Sequence, residues 1–346
     1  MAMALTREQL LIDLYAAWHM ARRHKVTKHY VRVFDRHTDR NLQAICDALF
    51  TREYHPEPSS CFIVDRPKKR EVFAAQFADR VVHHYYYNQT HRIYERTFIE
   101  DSYSCIQGRG THYGINRLRE HIRRASLNWH EKCYAMNLDI RGYFMHINRE
   151  KLLDIATDSL RTMATHKVGM TDEVPIPSGV LLTHATRWRD IRDMRFILWL
   201  TEQIIMLDPM ENCIIVGDLS DWDGIDHAKC MRFAEKGLAL PIGNLTSQLY
   251  SNVYMNVFDQ FVKQDIKCRH YGRYVDDFWL IDADKMRLNN AVEQINSLLL
   301  NLGMKLHPRK VKISKCTDKI SFLGAVCSPW HRHASKRTTQ KFKNKL

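Results

Sequence analysis

Two adjacent aspartates, Asp276 and Asp277, stand among apolar and aromatic residues. Adjacent carboxylates repel each other and are hard to desolvate, so they persist in such surroundings when a divalent cation compensates their charge. Four apolar or aromatic residues follow them, Phe278–Ile281, and this disfavours the alternative of an exposed turn. Magnesium takes oxygen ligands and usually keeps waters and substrate phosphates in its shell. The pair therefore predicts a magnesium site.

A second acid, Asp139, lies near the end of the apolar segment 133–140 and precedes the aromatic pair Tyr143 and Phe144. Acids from two strands could hold two metal ions about 3.5–4 Å apart, the arrangement used for phosphoryl transfer. One ion would lower the pKa of an attacking hydroxyl, and the other would stabilise a pyrophosphate leaving group. Taken alone, Asp139 would more often be a capping or strand-end acid.

The elements that must position these acids follow from hydrophobic periodicity. Helices are expected over 5–24, 77–96, from about 148, around 188–198, over 245–261 and over 288–302. Strands are expected over 61–64, 71–75 and 133–140, with a hairpin over 270–282 that carries the two acids at its tip. Because strands and helices alternate irregularly, the predicted class is α+β.

Composition and net charge exclude several classes of protein and favour one kind of partner. The 346 residues are 45% hydrophobic and 26% charged, which excludes a disordered or fibrous protein. The 52 Lys and Arg against 39 Asp and Glu give a net charge of +13, which favours nucleic acid as a partner, with an anionic membrane surface as the competing reading. No apolar run reaches the length of about 18 residues that a membrane helix needs. Nine scattered cysteines without a CxxC pair fit a reducing cytoplasm.

Two segments have unusual charge. Residues 208–226 hold six acids and no Lys or Arg, which favours a solvated acidic loop. Residues 331–346 hold six Lys or Arg and no acid. They could be a solvated tail, although contact with phosphates is favoured because the whole chain is basic.

Seven blocks in order resemble the motifs of the reverse transcriptase family. They are Arg66–Arg70, Phe77–His84 with Phe98–Cys105 and Gly108–His112, Leu138–Phe144, Leu240–Gln248, Tyr274–Asp277, Gly303–Lys310 and Phe322–Gly324. The resemblance implies a right-hand polymerase with fingers, an α+β palm and a reduced or missing thumb. Its activity would be that of an RNA-directed DNA polymerase, a nucleotidyltransferase.

The implied domains follow the chain in order. They are an N-terminal helical extension (1–60), fingers (61–132), a palm (133–324) with an acidic insertion near 208–236, and the start of a thumb or a basic tail (325–346). Only 22 residues follow Gly324, so the thumb is expected to be abbreviated, absent from this chain or supplied by a partner.

The palm helix motif distinguishes subgroups of the family. Retroviral and group II intron enzymes have Gln before the Gly and end the motif in Ser-Pro, whereas this chain has Ile242 before Gly243 and ends in Ser247 and Gln248. This pattern resembles the reverse transcriptases of diversity-generating retroelements. Those enzymes copy template RNA into cDNA with errors at adenines, and they work with a small basic accessory protein.

The resemblance also implies catalytic roles. Asp139 and Asp276 would bind both metal ions, with help from the backbone carbonyl of Ile140, and Asp277 would complete the set beside the primer terminus. The metal would be Mg²⁺, with Mn²⁺ as a substitute. Lys310 could protonate pyrophosphate, although Arg309 and Lys312 are neighbouring alternatives.

Further residues are implied to bind substrates. Lys68 and Arg70 match the motif that holds the β- and γ-phosphates, but alone they would read as a solvated turn. Phe144 would block a ribose 2′-hydroxyl, or it could simply pack in the core.

Three residues of the palm helix motif would line the nucleotide pocket. Gly243 would let the backbone approach nucleotide or template, and Ile242 lies beside it where a Gln could have bonded the nucleotide. Gln248 could bond template or nucleotide, or it could cap a helix or contact the core.

Arg80 and Arg109 would contact RNA phosphates or pair with acids within the fingers. The expected partners are template RNA, cDNA product and deoxynucleoside triphosphates, with an accessory protein or a second copy as further candidates and no membrane. The expected location is the cytoplasm of a bacterium, with the gene bacterial or phage-encoded. Two rival functions are an antiviral defence reverse transcriptase and a non-catalytic RNA-binding scaffold, which the three acids argue against.

Overall fold

The computed structural model describes residues 5–65, 68–165 and 193–344. The chain divides into two compact units, each built from two separate stretches. The first unit comprises the residues up to Thr97 and Asn148–Val253, and the second comprises Phe98–Ile147 and Tyr254–Leu346. The predicted fingers and palm are consecutive in sequence, so their boundaries differ from these units and stay a prediction. Within the described ranges, no helix has both the length and the apolar character needed to cross a membrane.

The helices and strands of the described ranges are as follows. The helices are α1 (Arg7–Arg22), α2 (His29–Asp35), α3 (Thr38–Thr51), α4 (Phe77–Glu95), α5 (Thr111–Ala125), α6 (Arg149–Thr165), α7 (Met194–Met206), α8 (Leu245–Gln264), α9 (Lys285–Asn301) and α10 (Lys336–Lys343). The strands are β1 (Ser60–Val64), β2 (Arg70–Ala74), β3 (Tyr134–Asp139), β4 (Ile214–Ile215), β5 (His270–Tyr274), β6 (Asp277–Asp282), β7 (Lys312–Lys315), β8 (Ile320–Phe322), β9 (Ala325–Cys327) and β10 (Arg332–Ala334).

These elements confirm most of the periodicity-based predictions. Asn148 caps α6 as expected, because its side-chain oxygen accepts the Lys151 N–H at 2.9 Å. The helix predicted around 188–198 is α7, although its first two marker residues, Trp188 and Ile191, lie outside the described residues.

The first unit contains a three-stranded sheet in the order β2-β1-β4. β1 and β2 form an antiparallel hairpin, and β4 runs parallel to β1. The buried carboxylate of Glu71 on β2 accepts hydrogen bonds from the indole N–H of Trp222 at 2.7 Å and the backbone N–H of Met231 at 2.6 Å. Residues 222–231 are thereby attached to the sheet.

This attachment corrects the reading of 208–226 as a solvated loop. Its acids from Asp218 to Asp226 are exposed, but Trp222 and Ile225 are buried and β4 pairs with β1. The charge pattern of the sequence indicated the exposed acids and gave no sign of the buried apolar residues between them. Two apolar anchors and one buried acid on a neighbouring strand order the backbone.

The second unit is built on a four-stranded antiparallel sheet in the order β5-β6-β3-β7. Successive side chains of a strand point to opposite faces, and both faces of β6 are covered. Trp279 and Ile281 join a core with α5, while Phe278 stacks edge-on against Phe258 of α8. The strands β3 and β6 are therefore apolar at most positions other than their acids.

An edge of this sheet is extended by a segment that the sequence placed in the fingers. Ser102 bridges to Arg273 of β5, and the flanking backbone of Asp101 and Tyr103 bonds Arg273 at 2.9 and 3.0 Å. The Asp101 carboxylate accepts a two-point bond from Arg117 of α5 at 2.7 and 3.0 Å. Residues 98–132 thus belong with the sheet of the second unit.

The basic C-terminal segment is also ordered, which corrects the solvated-tail alternative. β10 pairs with β9, and α10 follows with the Ser335 side chain accepting the Thr338 N–H at 3.2 Å. The side chains of both elements are largely exposed. Backbone hydrogen bonds order this segment, and its charged composition did not predict them.

Gly272 on β5 provides a test of this core. A Cβ there would meet the hydroxyl of Tyr103 and lie 2.6 Å from the ring of Trp279. We expect Gly272→Ala to lower the free energy of unfolding by about 1–3 kcal/mol, because overpacking forces core side chains to shift. Urea denaturation measures the loss.

Gly110→Ala is the matched control, since a Cβ at Gly110 has no neighbour within 4 Å. Its effect should stay within about 0.5 kcal/mol. Equal stability of the two variants would contradict the close packing of β5 against Tyr103.

Candidate active site

The two adjacent aspartates lie where β5 turns into β6. Tyr274 pairs with Asp277, so Val275 and Asp276 form a two-residue turn. Val275 has a φ of 58°, a left-handed conformation that a β-branched residue rarely adopts. Such strain costs about 1–3 kcal/mol and persists only where the surroundings enforce it. Other contacts must therefore hold the turn that carries Asp276.

Arg273 supplies one of these contacts. Its Nη1 donates to the carbonyl oxygen of Val275 at 3.0 Å. Its Nε and Nη2 donate to Asp259 of α8 at 2.8 and 2.7 Å, and the two side chains are only 1% and 0% exposed. The Tyr271 hydroxyl donates to the same carboxylate at 2.5 Å. This buried ion pair fixes the guanidinium next to the turn.

Sequence reasoning missed both members of this pair. A usable signal existed, because Arg273 interrupts a strand of otherwise apolar or aromatic neighbours, and Arg is almost never fully buried unless it is paired. Asp259 lies between Val257 and Phe261 of the predicted apolar stripe. Only the folded chain identifies the two as partners.

Asp139 faces Asp277 across the neighbouring strands β3 and β6. The two are register partners, and antiparallel partners have Cα atoms about 4.5–5.5 Å apart. The Ile140 N–H donates to the carbonyl oxygen of Asp276 at 3.3 Å, which ties the end of β3 to the turn. Asp139 is buried, and Asp276 and Asp277 are half-buried. The fold therefore brings the three predicted carboxylates to one end of the sheet.

Lys310 is the cation that contacts this cluster. Its ammonium group pairs with the carboxylate of Asp139. The backbone places it there, because the Lys310 N–H donates to the carbonyl of His307, and the His307 N–H donates to the carbonyl of Asp139 at 2.8 Å. The alternatives Arg309 and Lys312 are exposed. The role of Lys310 as an acid toward pyrophosphate stays a prediction.

The electrostatics of the cluster favour an added positive charge. Burial, together with the nearby carboxylates of Asp276 and Asp139, raises the pKa of Asp277 to about 7, against the opposing effect of Lys310. Like charges directly opposite each other destabilise a sheet. A proton relieves this repulsion near neutral pH, and a bound divalent cation would compete with that proton.

The donor chemistry fits a hard divalent cation, because carboxylate and carbonyl oxygens are the ligands that magnesium prefers. In the described part of the chain, no three His, Cys, Asp or Glu side chains form a ready metal-binding group. The ligand set of Asp139, Ile140, Asp276 and Asp277 therefore stays a prediction, supported by the apposition of the acids.

Phe144 lies in the same unit as the acids, in a short 3₁₀ turn, Tyr143–His146. Its ring is half-buried and meets Tyr143 edge-on, with centroids 5.1 Å apart. Gly142 precedes the turn with a φ of 58°, the left-handed conformation that glycine adopts without a steric cost. Both predicted alternatives, a substrate contact and a packing role, stay open for a half-buried ring.

The residues predicted to bind the triphosphate lie in the first unit. Lys68 and Arg70 are exposed at the end of the β1–β2 hairpin, whereas Arg66 and Pro67 of the same motif lie outside the described residues. Lys69, which was not singled out, donates to the carbonyl oxygen of Asp223 at 2.8 Å. The basic turn is therefore linked to the acidic segment of its own unit.

Gly243 has a structural reason for its residue type. Its φ is 134°, and a Cβ would lie 2.5 Å from the carbonyl oxygen of Phe73 on β2. The preceding carbonyl, that of Ile242, accepts the Phe73 N–H at 2.8 Å. The Ile242 side chain is half-buried, and Gln248 is exposed on α8. Close approach to β2 explains the glycine, and contact with nucleotide stays a prediction for all three residues of the motif.

Among the described residues, the contacts of Arg80 and Arg109 are with carbonyl, hydroxyl and aromatic groups. Arg80 donates to the carbonyl of Ala75 at 2.7 Å and to the hydroxyl of Tyr30 at 3.0 Å, and it lies over the ring of Tyr30 at 4.8 Å. Arg109 donates to three backbone carbonyls, those of Ile99, Glu100 and Ser102, at 2.9–3.0 Å. The alternative of an acid partner in the described part of the fingers was therefore wrong. RNA contact by these residues stays a prediction.

Comparison with known proteins bears on this geometry. Residues 201–327 match the family described as reverse transcriptase (RNA-dependent DNA polymerase). The match contains Gly243, Gln248, Asp276, Asp277 and Lys310 and begins after Asp139. Over these residues the chain is similar to the reverse transcriptase family, as the motif order predicted. A search of curated proteins found no match.

Solved telomerase structures share the fold. A truncated apo telomerase from Candida tropicalis is 14% identical with a TM-score of 0.52, over 81% of this chain and 56% of that chain. A Candida albicans telomerase in complex with a fragment of telomeric RNA is 13% identical with a TM-score of 0.50, over 83% and 47%. The chain spans about half the length of these relatives. The predicted α+β fold of a right-hand polymerase is confirmed.

The ion pair beside the catalytic turn gives a stability prediction. We expect Asp259→Asn to lower the free energy of unfolding by about 3–5 kcal/mol, because it leaves the buried Arg273 charge uncompensated. Thermal or urea unfolding of the purified protein measures the change.

Asp282→Asn, at the other end of β6, is the control. Asp282 pairs with Arg287 at 3.4 Å, and that arginine is 60% exposed, so the loss should stay below about 1 kcal/mol. A loss as small for Asp259→Asn would show that the buried pair does not hold the turn.

Proposed function

We propose that this protein is an RNA-directed DNA polymerase that copies template RNA into cDNA from deoxynucleoside triphosphates. The observation that carries the proposal is the apposition of Asp139 and Asp277 on paired strands, with Asp276 in the adjoining turn. The match of residues 201–327 to the reverse transcriptase family supports it. The net charge of +13 supports a nucleic-acid substrate.

The proposed reaction is attack of a primer 3′-hydroxyl on the α-phosphorus of the incoming nucleotide, with pyrophosphate as the leaving group. Two Mg²⁺ ions, when bound, would lower the pKa of the hydroxyl and stabilise the charge on pyrophosphate; Mn²⁺ would substitute. Asp139, Asp276 and the carbonyl of Ile140 would hold the ions, and Asp277 would lie beside the primer terminus. Lys310, already paired with Asp139, would supply positive charge and a proton to the departing oxygen.

Substrate selection is assigned to residues of the predicted motifs. Lys68 and Arg70 would bind the β- and γ-phosphates, and Gly243 and Gln248 would contact nucleotide or template. The half-buried ring of Phe144 would exclude a ribose 2′-hydroxyl by steric clash. Arg80 and Arg109 would contact RNA phosphates.

We further propose that the enzyme makes error-prone cDNA in a diversity-generating retroelement. Support comes from Ile242, which replaces a glutamine that could bond the nucleotide, and from the Ser247-Gln248 end of the motif. A basic accessory protein would then be a partner, and the location would be cytoplasmic. A defence role shares the same chemistry, and the error spectrum tests the difference.

The role of the acids gives a prediction of activity. Asp276→Asn should reduce nucleotide incorporation by more than about a hundredfold, because loss of a direct metal ligand should exceed the effect of losing an outer-shell partner. Asparagine removes the charge and no volume, so circular dichroism and RNA binding should stay close to wild type. Primer extension on a defined RNA template measures incorporation.

Asp282→Asn serves again as the control, since it changes an acid at the far end of β6, the strand that follows the turn. It should retain wild-type incorporation. A wild-type rate in Asp276→Asn would overturn the assignment of the catalytic cluster.

The side chain at position 242 gives a prediction of copying fidelity. Ile242→Gln should lower misincorporation opposite template adenines by about two- to tenfold, the range that one added hydrogen bond supplies. The backbone bond from Phe73 to residue 242 does not involve the side chain, so the fold should tolerate the change. Sequencing of cDNA made on one template by both proteins measures the error rate.

Ile242→Leu is the matched control, because it keeps an apolar side chain of similar volume and should keep the errors. An unchanged spectrum in Ile242→Gln would reject the fidelity role of this position. Accurate copying of adenines by the wild type would favour the defence role.

A further inference from the structure

Trp330 is unusually open to solvent. It lies in the loop that joins β9 to β10, where the Ser328 N–H and hydroxyl donate to the carbonyl of His331 at 2.9 and 3.1 Å. Its exposed fraction is 78%. A single exposed apolar side chain is normal on a protein surface, whereas a contiguous exposed patch marks a binding site.

A second tryptophan lies beside it. The ring centroids of Trp129 and Trp330 are 6.4 Å apart, with planes inclined by 34°. Trp129 ends a turn in which three consecutive residues from Leu127 have left-handed φ values of 47°, 59° and 66°. Such a run of non-glycine residues is sparsely populated and needs enforcement.

Specific hydrogen bonds enforce this turn. The Trp129 N–H donates to the Ser126 hydroxyl at 2.8 Å, and the Asn128 N–H donates to the carbonyl of Arg123 at 2.8 Å. The Arg123 guanidinium also donates to the Asn128 side-chain oxygen at 2.8 Å. Leu127 is left 63% exposed. The turn is a rigid support that presents apolar surface.

A basic pocket adjoins the turn. It has a volume of about 350 Å³ and is lined by Arg123, Arg124, Leu127, Asn128, Arg269 and His270. Glu120 pairs with two of the arginines, at 2.9 and 2.6 Å, so the local balance is three positive charges against one negative. Burial, with the neighbouring His121, lowers the pKa of His270 to about 4, so the arginines carry the charge.

The pocket is remote from the acids. His270 begins β5, and Asp276 lies six residues further on. At about 3.4 Å per residue this places the pocket roughly 20 Å from the catalytic turn. A ligand there would not be the nucleotide or the primer terminus.

We propose that Trp330, Trp129 and this arginine-lined pocket form a second nucleic-acid site that binds a single-stranded segment of RNA. Bases stack on exposed aromatic rings, while arginines neutralise the backbone phosphates. Single strands are favoured over duplex, because the exposed indole of Trp330 at the hairpin tip can stack only on an unpaired base. The proposal does not depend on polymerase activity.

The site is located by photo-crosslinking. A ten-nucleotide RNA that carries 5-iodouracil is irradiated with the full-length protein in the presence of saturating unlabelled primer–template, which occupies the catalytic site. Mass spectrometry of the digest should place the crosslink on the peptide that contains Trp330 or Trp129. A crosslink confined to other peptides would overturn the proposal.

Affinity of the same RNA, measured by fluorescence anisotropy, tests the stacking. Trp330→Ala should weaken binding about tenfold, within the range for loss of one stacked base, and Trp330→Phe should restore most of it. Arg269→Ala should reduce the slope of log affinity against log salt by about 0.7. Phe342→Ala, which removes another exposed aromatic of the basic segment, is the matched control and should bind like wild type.

Three outcomes would reject the proposal. One is unchanged affinity in Trp330→Ala, and another is heparin or anionic vesicles displacing the RNA equally from wild type and Trp330→Ala, which would indicate a general polyanion patch. The third is impaired extension by Trp330→Ala on a template with a one-nucleotide overhang, which is too short to span the roughly 20 Å to the pocket. Loss of polymerase activity in the wild type would leave the crosslink and the affinities intact, so this failure is separable from that of the proposed function.

Discussion

Repulsion between Asp139 and Asp277 is the constraint on which the second unit depends. The two acids face each other at the end of paired strands, where one is buried and the other is half-buried. Backbone pairing along β3 and β6 holds them together. The apolar residues that precede Asp139 on β3 and follow Asp277 on β6 supply the burial free energy. Lys310 and the raised pKa of Asp277 are the two signs that the charge is only partly compensated.

The turn that carries Asp276 adds a second cost, the backbone strain at Val275. Contacts of Arg273 on β5 offset this strain. Val275 has a left-handed φ, and Arg273 bonds its carbonyl while its own charge is neutralised by Asp259. Backbone bonds of Asp101 and Tyr103 then extend the sheet beyond Arg273. Burying an ion pair costs desolvation free energy, so its presence here is explained by geometry: it fixes the strand end from which the acids project.

The first unit depends on close backbone approach along β2. Gly243 lies against the carbonyl of Phe73 on β2. Glu71 on the same strand accepts hydrogen bonds from Trp222 and Met231. The strand β2 therefore orders both the palm helix motif and the acidic segment. A substitution on this strand would alter two regions that are far apart in sequence.

The sequence by itself predicted the three acids, most helices and strands, and the resemblance to the reverse transcriptase family. It could do so because hydrophobic periods are local and because Asp139, Asp276 and Asp277 stand in short motifs of recognisable residue types. It also predicted that the acids would meet, since a strand end and a hairpin tip were both expected. Tertiary structure alone decided the partners: Arg273 with Asp259, Arg109 with three carbonyls, Lys310 with Asp139, and Trp330 beside Trp129. It also decided that residues 98–132 join the sheet of the acids and that the acidic segment is anchored by Trp222. These contacts link residues 7 to 201 positions apart. Their partners leave no period or spacing in the chain, because only packing and desolvation in the folded state select them.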